Sequence, residues 1–129
     1  MKASELTIGA IISFNGEPRR IRTLTRRKVG HCSLKNPVVE LSKIADCEPI
    51  LIEKEHLLSN GFTDVSDNNG QMVYRYIDDT YVALLWTDNG IRFRTEDENL
   101  ATKSQAYIKY VHQLQSMLNI SGIEWEVNI

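Results

Sequence analysis

Between Arg19 and Lys28 six of ten residues are basic: Arg19, Arg20, Arg22, Arg26, Arg27 and Lys28. Cations spaced this closely can neutralise successive phosphates or a row of carboxylates, so the stretch is the first candidate for binding chemistry. Phe14 is the only aromatic residue before Phe62. The segment therefore carries no stacking platform of its own, and a nucleic acid held there would be held by its backbone, with weak sequence preference. His31, Cys32, Cys47 and His56 form a second set, since imidazoles and thiolates ligate zinc. Zinc modules, however, bring their ligands in close pairs, and adjacent residues on a strand face opposite sides of it. Here Cys32 and Cys47 stand fifteen positions apart and His31 directly precedes Cys32, so the expectation is two core thiols, two surface imidazoles and no metal or other cofactor. The carboxylates of Asp78-Asp79 and of Glu96-Asp97-Glu98 could perform the acid–base or divalent-metal work of a small hydrolase or nuclease. Turns and linkers are rich in acids for their own reasons. There is no Gly-x-Ser-x-Gly elbow, and Gly9, Gly16 and Gly30 are too dispersed to cradle a phosphate. No catalytic residue is assigned.

The formal charge is −2 over 129 residues, which hides a segregation. Residues 1–35 hold eight Lys/Arg and two acids, whereas residues 36–129 hold seven Lys/Arg and fifteen acids. A basic head followed by an acidic body points to contact with nucleic acid or another acidic partner, or to pairing of the two parts within one fold. With 42% hydrophobic and 25% charged residues the composition is that of a globular domain, and it excludes collagen-like, disulfide-dense and disordered classes. The longest apolar runs, such as Val82 to Leu85, are only a few residues, far short of the roughly 18–20 that span a bilayer. Met1 to Glu5 lack the pattern of a secretory signal, and two cysteines do not make a disulfide framework. The expected setting is cytoplasmic, with no membrane partner.

These candidates must be held by short elements. Ile8 to Phe14 is β-branched and apolar, Asn15-Gly16 favours a tight hairpin turn, and Arg20 to Thr25 alternates like a half-buried strand with Arg20 and Arg22 on one face. Val29 to Leu34 and Val38 to Ile44 are further strands around Asn36-Pro37, which together suggest a small antiparallel barrel. Glu53 to Asn60 reads as a short helix closed by Gly61 and Phe62. Met72–Ile77, Tyr81–Thr87 and Ile91–Thr95, joined by Asp78-Asp79-Thr80 and Asp88-Asn89-Gly90, predict a three-stranded meander. Tyr107, Tyr110, Val111, Leu114, Met117 and Leu118 fall on one helical stripe, with Lys109, His112, Gln113 and Ser116 opposite. Ile123 to Val127 alternates apolar and acidic residues, as a terminal strand does. The expected fold is α+β in a single domain, residues 1–129, with a possible subdivision near residues 45–50.

Three strings occur together: Glu5-Leu6-Thr7-Ile8-Gly9, Glu48-Pro49-Ile50-Leu51-Ile52 leading to Gly61-Phe62, and Tyr110-Val111-His112-Gln113-Leu114-Gln115. In order and spacing the chain resembles a group of short uncharacterised proteins of gut anaerobic bacteria and their prophages or mobile elements. The resemblance implies a bacterial or prophage setting and no mechanism. It departs from that group at Met117 to Ile120, where a more aromatic stretch is usual. Together these readings point to a non-enzymatic binding or adaptor protein whose basic face, Arg19 to Lys28, meets an acidic protein or a nucleic acid. The alternatives are the small metal-dependent hydrolase or nuclease, and a structural phage component acting as a homo-oligomer.

Overall fold

The computed structural model describes residues 1–129. The chain is mostly β: two five-stranded antiparallel sheets with short helices, so the α+β expectation holds only in outline. It divides into two compact units. The first comprises Met1–Leu51, Tyr110–Ser116 and Glu126–Ile129, the second Ile52–Lys109 and Met117–Trp125.

In the first unit the strands are β1 (Ile11–Phe14), β2 (Glu17–Leu24), β3 (Lys28–Ser33), β4 (Glu40–Lys43) and β5 (Cys47–Glu48). Their order is β4-β3-β2-β1-β5, so a meander ends in a 3-10 turn at Ile44–Asp46 and returns to pair with the first strand. The β1–β2 hairpin closes through Asn15 and Gly16, both at positive φ (52° and 78°), the two-residue turn whose twist matches the flanking strands. Beneath the curved sheet lies a core of Leu6, Ala10, Ile12, Ile21, Val29, Ile44 and Cys47, with Phe14 and Leu24 packed at its margin. β2 and β3 lose register between Ile21 and Thr23, leaving Arg22 as the extra residue of a β-bulge. Arg19, Arg20 and Ile21 precede the bulge, in regular register with Ser33, Cys32 and His31, and all three are buried because both faces of the strand are covered there: Arg19 bonds His31 and Arg20 bonds the Gly9 and Val127 carbonyls. The alternation of exposed and buried residues expected for this strand is therefore absent.

The second unit holds helix α1 (Lys54–Ser59) and strands β6 (Thr63–Asp64), β7 (Met72–Ile77), β8 (Thr80–Thr87), β9 (Gly90–Glu96) and β10 (Thr102–Ile108), in the order β10-β9-β8-β7-β6. The expected three-stranded meander is its centre, and two edge strands extend it. α1 ends as its sequence dictates: Gly61 adopts φ 84° and the Phe62 amide bonds the Leu57 carbonyl at 3.1 Å. Alternation is clean on β8 and β9, where Val82, Leu84, Ile91, Phe93 and Thr95 are buried.

The C-terminal helix α2 spans Val111–Ile120. It is shorter than the apolar stripe predicted, because Tyr107 belongs to β10 and Tyr110 precedes the first turn. Residues 123–127 keep their period-two burial, with Ile123 and Val127 inside, but pair with no strand. Instead, the Val127 amide bonds the Gln115 side chain at 2.8 Å. His112 and Gln115 are consequently buried, at 2% and 1% exposure, and the polar side of the helix expected for His112 is not solvated surface.

Candidate functional site

The six cations of the basic run separate into two groups. Arg19 is buried: its Nε donates to His31 Nδ1 at 3.0 Å, and its terminal nitrogens lie 3.6 Å from Glu17 and 3.4 Å from Glu40. Arg20 is buried too, with Nη1 donating to the Gly9 and Val127 carbonyls at 2.8 and 2.9 Å and Nη2 reaching Asn128 Oδ1 at 3.4 Å. Burial lowers the pKa of its guanidinium, an effect partly offset by the Glu126 carboxylate. Arg22, thrown outward by the bulge, pairs with Glu126 at 3.2 Å. These three cations are engaged within their own unit.

Arg26, Arg27 and Lys28 are exposed and form no ion pair. They occupy the turn between β2 and β3. Thr25 shapes that turn: its amide bonds the Lys28 carbonyl at 2.9 Å, and its Oγ1 accepts the Lys28 amide at 3.1 Å. Two further cations join them from distant positions. Lys43, at the end of β4, stands directly across from Lys28 in the β3–β4 ladder. Lys2 comes from the segment before β1. Together Lys2, Arg26, Arg27, Lys28 and Lys43 line a cavity of about 800 Å³ whose other walls include Ala3, Ser4, Ile44 and Ala45, with no carboxylate among the lining residues. Asp46 borders a neighbouring hollow that shares Lys28 and Lys43. Like charges directly opposite one another on a sheet destabilise it, so the Lys28–Lys43 pair is a local cost to the fold.

Lys2 and Lys43 are the residues that sequence reasoning missed. The signal for Lys43 was present in outline, since strands at 29–34 and 38–44 must pair, but the register placing it against Lys28 was not. The same polarity persists by unit: the first carries nine Lys/Arg against six Asp/Glu, the second six against eleven.

The other candidates have local occupations. Cys32 and Cys47 are buried free thiols, and burial raises the pKa of Cys47. His56 caps its own helix, its Nδ1 accepting the Glu53 amide at 3.1 Å. Asp78 and Asp79 form a positive-φ hairpin turn, and Asp79 accepts from the Tyr76 hydroxyl at 3.2 Å. Asp97 accepts the Asn99 and Ala101 amides, both at 2.9 Å, while Glu96 pairs with Arg94. These carboxylates build turns. No helix is long and apolar enough to cross a membrane.

His31 is not the surface imidazole expected: it is fully buried, because Arg19 and Ser42 satisfy both of its ring nitrogens. Because Nδ1 accepts from Arg19, the ring proton sits on Nε2 and is donated to Ser42 Oγ at 2.8 Å. Burial and the Arg19 charge lower its pKa, with Glu40 and Glu17 pulling the other way; burial likewise lowers His112. Their folded pKa values lie below the ordinary value of about 6.5, so the unfolded chain binds more protons as the pH falls through that value. Stability from these two residues is therefore present above about pH 6.5 and lost below it. Urea unfolding at pH 7.5, 6.5 and 5.5 should show the midpoint falling at the lowest pH, and the His31 ring resonance should titrate below 6.5. A midpoint that rises on acidification would contradict this assignment.

No family model matches the chain, and neither does any curated protein or solved structure.

Proposed function

We propose that the chain is a non-enzymatic binding module, of bacterial or prophage origin, that holds an acidic partner in the cavity ringed by Lys2, Arg26, Arg27, Lys28 and Lys43. The observation that carries this reading is the convergence of five unpaired cations, from three separate stretches of sequence, on one concavity without an acid in its lining. Arg19, Arg20 and Arg22, by contrast, are partnered within their own unit. The surrounding elements support binding rather than catalysis. The nearest histidine in the sequence, His31, is locked in a buried network, and in the acidic clusters Asp79 and Asp97 hold turn hydrogen bonds while Glu96 pairs with Arg94. The bacterial or prophage origin rests on the sequence resemblance alone.

The test is fluorescence anisotropy with two labelled polyanions, an oligonucleotide and polyglutamate, at 50 and 200 mM KCl. If all five cations contact phosphates of a single strand, the salt slope is about 3.5 and affinity falls roughly 100-fold across that range. Failure of both polyanions to bind at 50 mM KCl would overturn the proposal.

A further inference from the structure

Resting on that reading, we infer that the partner is single-stranded nucleic acid and that one nucleotide enters the cavity, its base against the apolar wall and its flanking phosphates on the cationic rim. The shape of the site argues for an entering group. A duplex keeps its bases stacked inside and is far too wide to enter a cavity of about 800 Å³, so it could only lie across the opening. A single strand can splay a nucleotide outward and insert it. The cavity volume of about 800 Å³ falls in the range of sites that enclose small organic groups.

The lining has two kinds of surface. Ala3, Ile44 and Ala45 supply small apolar walls, while Lys2, Arg26, Arg27, Lys28 and Lys43 supply charge. A run of acidic residues would use the charge and leave the apolar wall without a matching group, and a peptide that used both would need acidic and apolar side chains in register with the lining. A nucleotide uses both, because its planar base and its phosphates are covalently joined. No aromatic side chain lines the cavity, and the planar cations of Arg26 and Arg27 are the groups able to stack on a base while contacting the adjacent phosphate. Ala45 is exposed and Ala3 half-buried, so the wall is open to a ligand. The absence of hydrogen-bonding side chains other than Ser4 and the cations implies acceptance of any base, with little sequence preference.

The experiment compares four fluorescein-labelled probes at 100 mM KCl: ten-residue oligothymidylate, an abasic deoxyribose-phosphate chain of the same length, oligothymidylate annealed to oligoadenylate, and polyglutamate. Oligothymidylate should bind tightest and the abasic chain about tenfold more weakly, the difference being the stacked base. Ala45→Leu, which adds bulk at an exposed position on the wall without changing charge, should shrink that tenfold difference to less than twofold. Equal binding of the intact and abasic chains, or tighter binding of the duplex or of polyglutamate, would overturn the inference while the acidic-partner reading stood. Binding of none of the four would remove both.

Discussion

Arg26→Ala combined with Arg27→Ala weakens oligonucleotide binding about 40-fold at 0.1 M salt and lowers the salt slope by about 1.4, because each lost single-strand contact removes roughly 0.7 from the slope. The loss should be the same for every base sequence tested, as expected for cations that contact backbone. Stability should change by less than about 0.5 kcal/mol, since both side chains are exposed and neither has an ion pair to break. Lys43→Ala sharpens the point. It removes one cation from the cavity and also dissolves the like-charge pair with Lys28. It should bind several-fold more weakly and yet unfold at a higher temperature, by the few tenths to 1 kcal/mol that opposed like charges cost. A variant more stable and less competent is the signature of a residue kept for its ligand. Anisotropy titrations from 50 to 200 mM KCl, together with thermal melts, measure both effects. Undiminished affinity in the double variant would remove the cavity from the binding surface.

Where local signals agreed, the sequence was readable. Met72–Ile77 alternates between turn residues, and the structure places a strand at those same limits; Asn15-Gly16 and Asp78-Asp79 close their hairpins at positive φ. β10 was not readable, because an edge strand needs little apolar content. Thr102 to Ala106 offers mainly polar and small residues, and Tyr107 fits the helical stripe downstream as well as it fits the strand. Strand pairing decided between them, with Tyr107 opposite Arg92 and Ile108 opposite Ile91. The terminal segment shows the converse. Its alternation is real as burial, but its backbone is satisfied by the side chains of Gln115 and Arg20, which no periodicity encodes.

The basic run failed as a unit for a physical reason. Composition sees six equivalent cations, whereas the fold treats them by position. Covered faces on both sides of β2 take Arg19 and Arg20 inside, where each finds acceptors, and the turn at 25–28 leaves the other three in solvent. Of the cations that line the candidate cavity, only Arg26 to Lys28 could be read as neighbours in the sequence, and Lys2 and Lys43 join them only through the tertiary register.

Arg20→Ala should have the opposite phenotype to the turn variant. The Arg20 guanidinium joins the Gly9 carbonyl, next to β1, to the Val127 carbonyl and Asn128 side chain at the end of the chain. Hydrogen bonds from a charged donor contribute roughly 1.5–3 kcal/mol each, and a buried acceptor left without a partner carries its own desolvation cost. Losing two such bonds destabilises the protein by about 3–5 kcal/mol, a large share of the roughly 5–15 kcal/mol that holds a domain folded. At this chain length that corresponds to a melting temperature lower by about 10–20 °C. Arg20→Lys should recover only part of the loss: both carbonyls accept from the single Nη1, which the shorter lysine ammonium could replace only by reaching farther, and it leaves nothing in the place of Nη2 beside Asn128 Oδ1. Below its melting transition, the Arg20→Ala protein that remains folded should bind oligonucleotide with an unchanged salt slope, since Arg20 does not line the cavity. A melting temperature within 2 °C of the parent would show that the carbonyls find water at little cost, and a reduced salt slope would place Arg20 on the binding surface. Arg20 and Arg26, six positions apart in one basic run, should therefore separate cleanly: removing one charge unfolds the protein without altering how the remainder binds, and removing the other, with Arg27, does the reverse.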